Sequence, residues 1–184
     1  MRASYPSAHP STRPSPFMRQ GGVAAVEFAI ISLLFFTILF AILEFGRMLY
    51  VYNTMQEVTR RGARAAVVRW VDQTAAITSI ALFGGAAIPA GAEVTTSNIK
   101  IEYLNKAGNV VTTLLANPPD PADPGDNLSA CGDITRTASC IYSVRVSIVG
   151  VTYSPMVSLF NFLNIALPTS VVTMHAESMG FNGN

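Results

Sequence analysis

Few side chains in this sequence are of a type and spacing that could do chemistry. His9 lies in a proline-rich leader and His175 in a strand pattern, so no histidine-based catalytic triad is plausible. Asp120, Asp123, Asp126 and Asp133 raise the idea of a calcium loop. Their spacing misses the every-second-residue ligand pattern of an EF-hand, and they read as a solvated Pro/Asp loop. Two cysteines without a C-x-x-C pair, and two distant histidines, do not make a zinc site. No G-x-S-x-G, H-E-x-x-H, P-loop or glycine-rich dinucleotide motif occurs. No cofactor, metal or small-molecule substrate is therefore expected, and enzyme is the poorer class. The net charge of +1 gives no field for nucleic acid.

Two groups keep their interest. Cys131 and Cys140 enclose "GDITRTAS" between a loop and a strand start. In an oxidising compartment they are expected to pair, contributing about 2–3 kcal/mol by the chain-entropy model. The alternative is two free thiols in a cytosolic domain, but their surroundings are polar, unlike those of buried free cysteines. The other group is Glu27, a lone acid near the start of an apolar run.

That run extends from Val23 to Leu43 with Glu27 as its single charge. It has the length of a membrane-crossing helix, about 20 residues. Half the chain is hydrophobic and only 12% charged, against about 25% in a typical soluble domain. A cleaved secretory signal is the rival, but such apolar regions are usually about 7–15 residues and end in a small-residue site, which "AILEFGRMLY" lacks. Before the run, "MRASYPSAHPSTRPSPFM" has four prolines and no periodic face, and it reads as a disordered leader.

After the run, helical spacing continues. Met48, Val51, Met55, Val58, Gly62 and Ala65 form one stripe; Asn53, Glu57, Arg60, Arg61 and Arg64 lie opposite. Glu57 and Arg61 are placed for an i,i+4 pair. The arginines read as a solvated face, with anionic lipid or a partner as the alternative. The helix is expected to reach about Ile80, where "FGGAAIPAGAE" breaks it. The period then changes to two. Ile99, Ile101 and Tyr103 begin a hairpin through "NKAGN" into "VVTTLL"; "NPPDPADPGDN" is a loop. "IYSVRVSIVGV" is a strand with Tyr142, Val144, Val146 and Ile148 on one face. "SPMVSLFNFLNIALP" is an apolar connection with room for one helical turn. "TSVVTMHAES" is a last strand with Val172, Met174 and Ala176 inward.

The stretch "GGVAAVEFAIISLLFF" resembles the type III signal of type IV pilins and pseudopilins. In those proteins a prepilin peptidase cuts after a glycine and leaves an acid at the fifth mature position. Here Gly22 and Val23 would flank the cut, Glu27 is fifth, and Phe28 follows. More closely, residues 19–66 resemble the TadE family of the Flp (Tad) pilus system, and "YSVRVSI…VTY…LP" loosely resembles its later part. Ser32 stands where the family often has a proline, so a kinked membrane helix is not implied. The physics agrees with the resemblance. Glycine lets a peptidase approach the backbone, and a carboxylate suits a helix N-terminus. An acid near the membrane end, costly alone, is offset by a neighbouring subunit's N-terminal ammonium; snorkelling to the headgroups is the simpler alternative.

The expected fold is α+β, a long N-terminal transmembrane helix continuing into a small antiparallel, pilin-like sheet domain. The expected division is a cytoplasmic leader at 1–22, removed on processing; a transmembrane helix at 23–45; its extramembrane extension at 46–82; and a periplasmic sheet domain with a disulfide loop at 83–184. The resemblance implies a structural pseudopilin of the bacterial inner membrane, single-pass, with its N-terminus cytoplasmic. Its implied partners are a prepilin peptidase, other pilins or pseudopilins, and inner-membrane lipid. Counting Arg13 and Arg19 against Arg47, Arg60, Arg61 and Arg64 favours the opposite orientation; the cysteine pair and the signal motif outweigh that count. A membrane-anchored periplasmic binding or adhesion domain without processing is the alternative, and an anchored hydrolase using Asp120 to Asp133 the weaker one.

Overall fold

The computed structural model describes residues 21–111 and 121–180. Most of the leader, Asp120 and the end of the "VVTTLL" arm lie outside the described residues. The chain divides into two compact units, residues 1–42 and 43–184. It is α+β, a long apolar helix followed by small antiparallel sheets.

The first helix, α1, is Gly21–Ala66. Up to Ile42 its large apolar side chains are exposed, Val23 at 60% and Leu33 at 67% among them. The Thr37 hydroxyl donates back to the Leu33 carbonyl at 2.7 Å, which satisfies it inside an apolar stretch. Among the described residues this is the one helix long and apolar enough to cross a membrane.

Within the second unit, the remainder of α1 presents the stripe read from its period. Val51, Met55 and Val58 are essentially fully buried, and Gly62 and Ala65 are buried with them. Gly62 permits the closest approach: a Cβ there would lie 3.1 Å from Val146 and 3.3 Å from Ala81. Arg60 and Arg64 are exposed as expected. Arg61 does not pair with Glu57; its guanidinium lies 4.4 Å from the centre of the Phe83 ring.

The helix stops at Ala66, short of the expected continuation to Ile80. The Val67 carbonyl accepts from the backbone N–H groups of Glu177 and Met179, at 3.3 and 3.2 Å. Trp70 adopts an extended backbone and is buried in the core. A distant segment thus engages the carbonyl that another helical turn would use. Helix resumes as α2, Thr74–Ala81, which buries Ile77 and Ala81.

The strands are β1 (Ala87–Ile88), β2 (Gly91–Thr95), β3 (Ile99–Leu104), β4 (Ser143–Ile148), β5 (Thr152–Tyr153), β6 (Ile165–Ala166) and β7 (Ser170–His175). The main sheet is antiparallel in the order β3-β4-β7. Its register aligns Ile101, Val146 and Val172 across three strands, and Tyr103, Val144 and Met174 beside them. Successive strand residues alternate faces, so these rows share the inward face with Gly62. Tyr142 departs from its expected place: it lies before β4, exposed, with its ring edge-on to His175 at 5.1 Å. Of the expected hairpin, a bridge between Leu104 and Val110 is present.

The Pro/Asp stretch is a loop only in part. Its end forms α3, Pro124–Gly132, capped by the Asp123 side chain, which accepts from the Asp126 N–H at 2.7 Å, with proline in the first turn.

Candidate functional site

The residues that the sequence marks for processing and assembly all lie on α1. Gly22 and Val23 are in its first turn, with Glu27 one turn on and Phe28 72% exposed. Among the described residues Glu27 is exposed and makes no hydrogen bond or ion pair. Nothing lies within 4 Å of a Cβ built on Gly22. Among the described residues, a side chain there would meet no packing.

A second cluster, absent from the sequence reading, gathers where the apolar run ends. Glu44 is 3% exposed. Its carboxylate accepts from the Tyr153 hydroxyl at 2.5 Å and from the Met156 N–H at 3.0 Å. Arg47, one turn on, is 3.6 Å away. The Arg47 guanidinium also pairs with Glu93, donates to the Ser154 carbonyl at 2.8 Å, and lies 5.0 Å from the Tyr153 ring centre. Burial, and then the bond to Glu44, push the Tyr153 hydroxyl up to about 12. It therefore stays protonated and donating through the physiological range. The arrangement is a polar joint that ties α1 to the segment after β5.

The third cluster is the cysteine loop. Cys131, in the last turn of α3, and Cys140 form a disulfide with Cα atoms 4.8 Å apart. Asn127, also unpredicted, is buried on α3. Its side-chain oxygen accepts from the Ile141 N–H at 2.8 Å, and its amide donates to the Ile141 carbonyl at 3.4 Å. The described aspartates of this region, Asp123, Asp126 and Asp133, are occupied locally. Asp123 caps α3. Asp126 makes a two-pronged pair with Arg136 at 2.9 and 3.0 Å, which, with the Ala122 N–H, holds its carboxyl below the usual range. Asp133 accepts from the Thr135 side chain and N–H, with the same effect. Among the described residues no group of three or more His, Cys, Asp or Glu side chains could hold a metal. A groove of about 250 Å³ lined by Tyr52, Gln56, Thr59, Arg60 and Ser170 likewise brings no catalytic set together.

Residues 22–64 match the family model described as TadE-like protein. The match covers the apolar helix, Glu27, Glu44 and Arg47, and stops before the sheet. It is the family whose motif the sequence resembles over residues 19–66. No curated protein and no solved structure matches the chain.

Proposed function

We propose that this protein is a TadE-like pseudopilin, a structural part of a Flp (Tad) pilus assembly or related secretion apparatus. The observation that carries the reading is the coincidence of the TadE-like match at 22–64 with a helix that is apolar, exposed and interrupted only by Glu27 up to Leu43. A span of 21 residues at about 1.5 Å each is close to the roughly 30 Å of a bilayer core. In this reading residues 1–22 are removed by a prepilin peptidase acting between Gly22 and Val23, and 23–45 span the inner membrane. The remainder is periplasmic, an orientation supported by the disulfide.

The protein works by packing, without turning over a substrate. Glu27 is exposed on an apolar helix, a poor position for a carboxylate that meets only lipid. The Val23 ammonium of a neighbouring pilin or pseudopilin supplies its partner, so the acid favours lateral association over a lone span. Glu27→Gln tests this. The variant is expected to be inserted and cut normally, and to fail to crosslink or co-purify with partner pilins. Wild-type assembly by Glu27→Gln would reduce Glu27 to a tolerated interface acid.

A further inference from the structure

We infer that residues 154–164 form a second membrane contact, an uncharged loop that beds Met156, Leu159 and Phe162 into the headgroup–acyl boundary of the bilayer that α1 crosses. The inference rests on the reading of 23–45 as a membrane span and adds to it a lipid-binding surface on the folded unit.

The loop is built to hold apolar side chains outward. Met156, Leu159 and Phe162 are 77%, 59% and 75% exposed. Single exposed hydrophobics are ordinary, but three large ones within seven residues of one loop are a patch. They are not exposed through want of structure. The loop leaves β5 and returns on β6, which pair antiparallel through Thr152–Ala166 and Tyr153–Ile165. The Leu167 N–H donates to the Val151 carbonyl at 2.9 Å below that pair. Between the ends, Ser158–Leu163 forms 3-10 turns and buries Phe160, which fixes the loop from inside. From Ser154 to Met174 there is no charged residue, so no charge in the segment opposes entry into an apolar phase.

The position of the loop points to lipid as the occupant. Its Met156 N–H donates to the Glu44 carboxylate, and its Ser154 carbonyl accepts from Arg47. Glu44 directly follows Leu43, where the apolar run ends. The loop is therefore bonded to the residues of α1 that directly follow the apolar run. Two exposed tyrosines, Tyr50 and Tyr52, follow on the next turns of α1, residues suited to the headgroup layer. A surface that is apolar, uncharged and bonded to the residues next after the apolar run matches a helix-like interfacial anchor that sinks about 5–10 Å into the boundary.

The test uses the full chain in vesicles of phosphatidylcholine and phosphatidylglycerol, with Phe162→Trp as a depth probe and the wild type subtracted to remove Trp70. Phe162 is exposed with its ring edge-on to the buried Phe160 at 6.2 Å, and tryptophan keeps an aromatic ring there; Met156→Trp, which has no such contact, is an independent second probe. With lipid brominated near the carbonyl end of its acyl chains, the added tryptophan is expected to lose most of its emission while aqueous iodide leaves it unchanged. Emission at the wavelength of water-exposed indole, quenched by iodide and not by brominated lipid, overturns the inference. Blue-shifted emission that neither agent quenches also overturns it, because a second copy or another protein then covers the patch. Phe35→Trp separates the two readings. Quenching of that probe by bromines at mid-chain upholds the span whatever Phe162→Trp does, and its failure overturns the span and the loop contact together.

Discussion

Replacing Tyr153 by phenylalanine removes one hydroxyl from a fully buried position and changes little else. The hydroxyl lost is shared between the Glu44 carboxylate at 2.5 Å, itself 3% exposed, and the Glu44 carbonyl at 3.1 Å. A hydrogen bond to a charged group contributes about 1.5–3 kcal/mol. The Met156 N–H at 3.0 Å and Arg47 at 3.6 Å remain, so Glu44 is weakened but not stranded, and the cost should stay within that range. For a chain of this size it corresponds to about 3–12 °C in melting temperature. The measurement is unfolding of the full chain in detergent, followed by a double-mutant cycle with Glu44→Gln. A coupling of about 1.5 kcal/mol or more is expected; a coupling below about 0.5 kcal/mol would refute the joint. The pH dependence has a definite sign. The Tyr153 hydroxyl is raised from its ordinary value near 10 to about 12, so the folded state holds this proton more tightly than the unfolded chain. Its contribution is complete below about pH 10 and declines as pH rises towards about 12. Tyr153→Phe should flatten that part of the stability curve.

Gly62→Leu should destabilise the second unit by about 1–3 kcal/mol or more, because the new side chain meets Val146 and Ala81 where a Cβ alone would be at 3.1 and 3.3 Å; denaturant unfolding reads it directly. Cys131→Ser with Cys140→Ser should cost about 2–3 kcal/mol, and hydrogen exchange should rise first across residues 132–141. Asn127→Ala strips the buried Ile141 N–H of its acceptor and should cost about 1–3 kcal/mol, with the same segment losing protection while the disulfide stays intact.

Much of the architecture was legible because it rests on local periods. The α1 stripe from Met48 to Ala65 follows the 3.6-residue repeat, and the inward rows of β4 and β7 follow the two-residue repeat. The end of α1 was not legible. It depends on Glu177 and Met179 reaching the Val67 carbonyl, and nothing between Val67 and Trp70 announces that contact. The start of α3 was legible in principle. Asp123 followed by Pro124 is a cap and first-turn pair, but the surrounding prolines make the stretch look like loop throughout. Glu44 and Arg47 stand at i,i+3 just past the apolar run, which is a signal of sorts. Their role rests on Tyr153 and Glu93, 109 and 46 residues away, and no local pattern carries that. The motif from Gly22 to Phe28 is the reverse case, visible in sequence, while among the described residues Glu27 is exposed and unpaired.

The central claim is that this chain enters an assembly as a processed pseudopilin, and the N-terminus of the membrane-bound protein tests it most directly. Intact-mass analysis and N-terminal sequencing of membrane-extracted protein, from cells with an active prepilin peptidase, should find Val23 first and residues 1–22 gone. Gly22→Val should keep the full mass without loss of folding, since among the described residues no atom lies within 4 Å of that Cβ. A mature protein that still carries Met1 to Gly22 under those conditions would contradict the account.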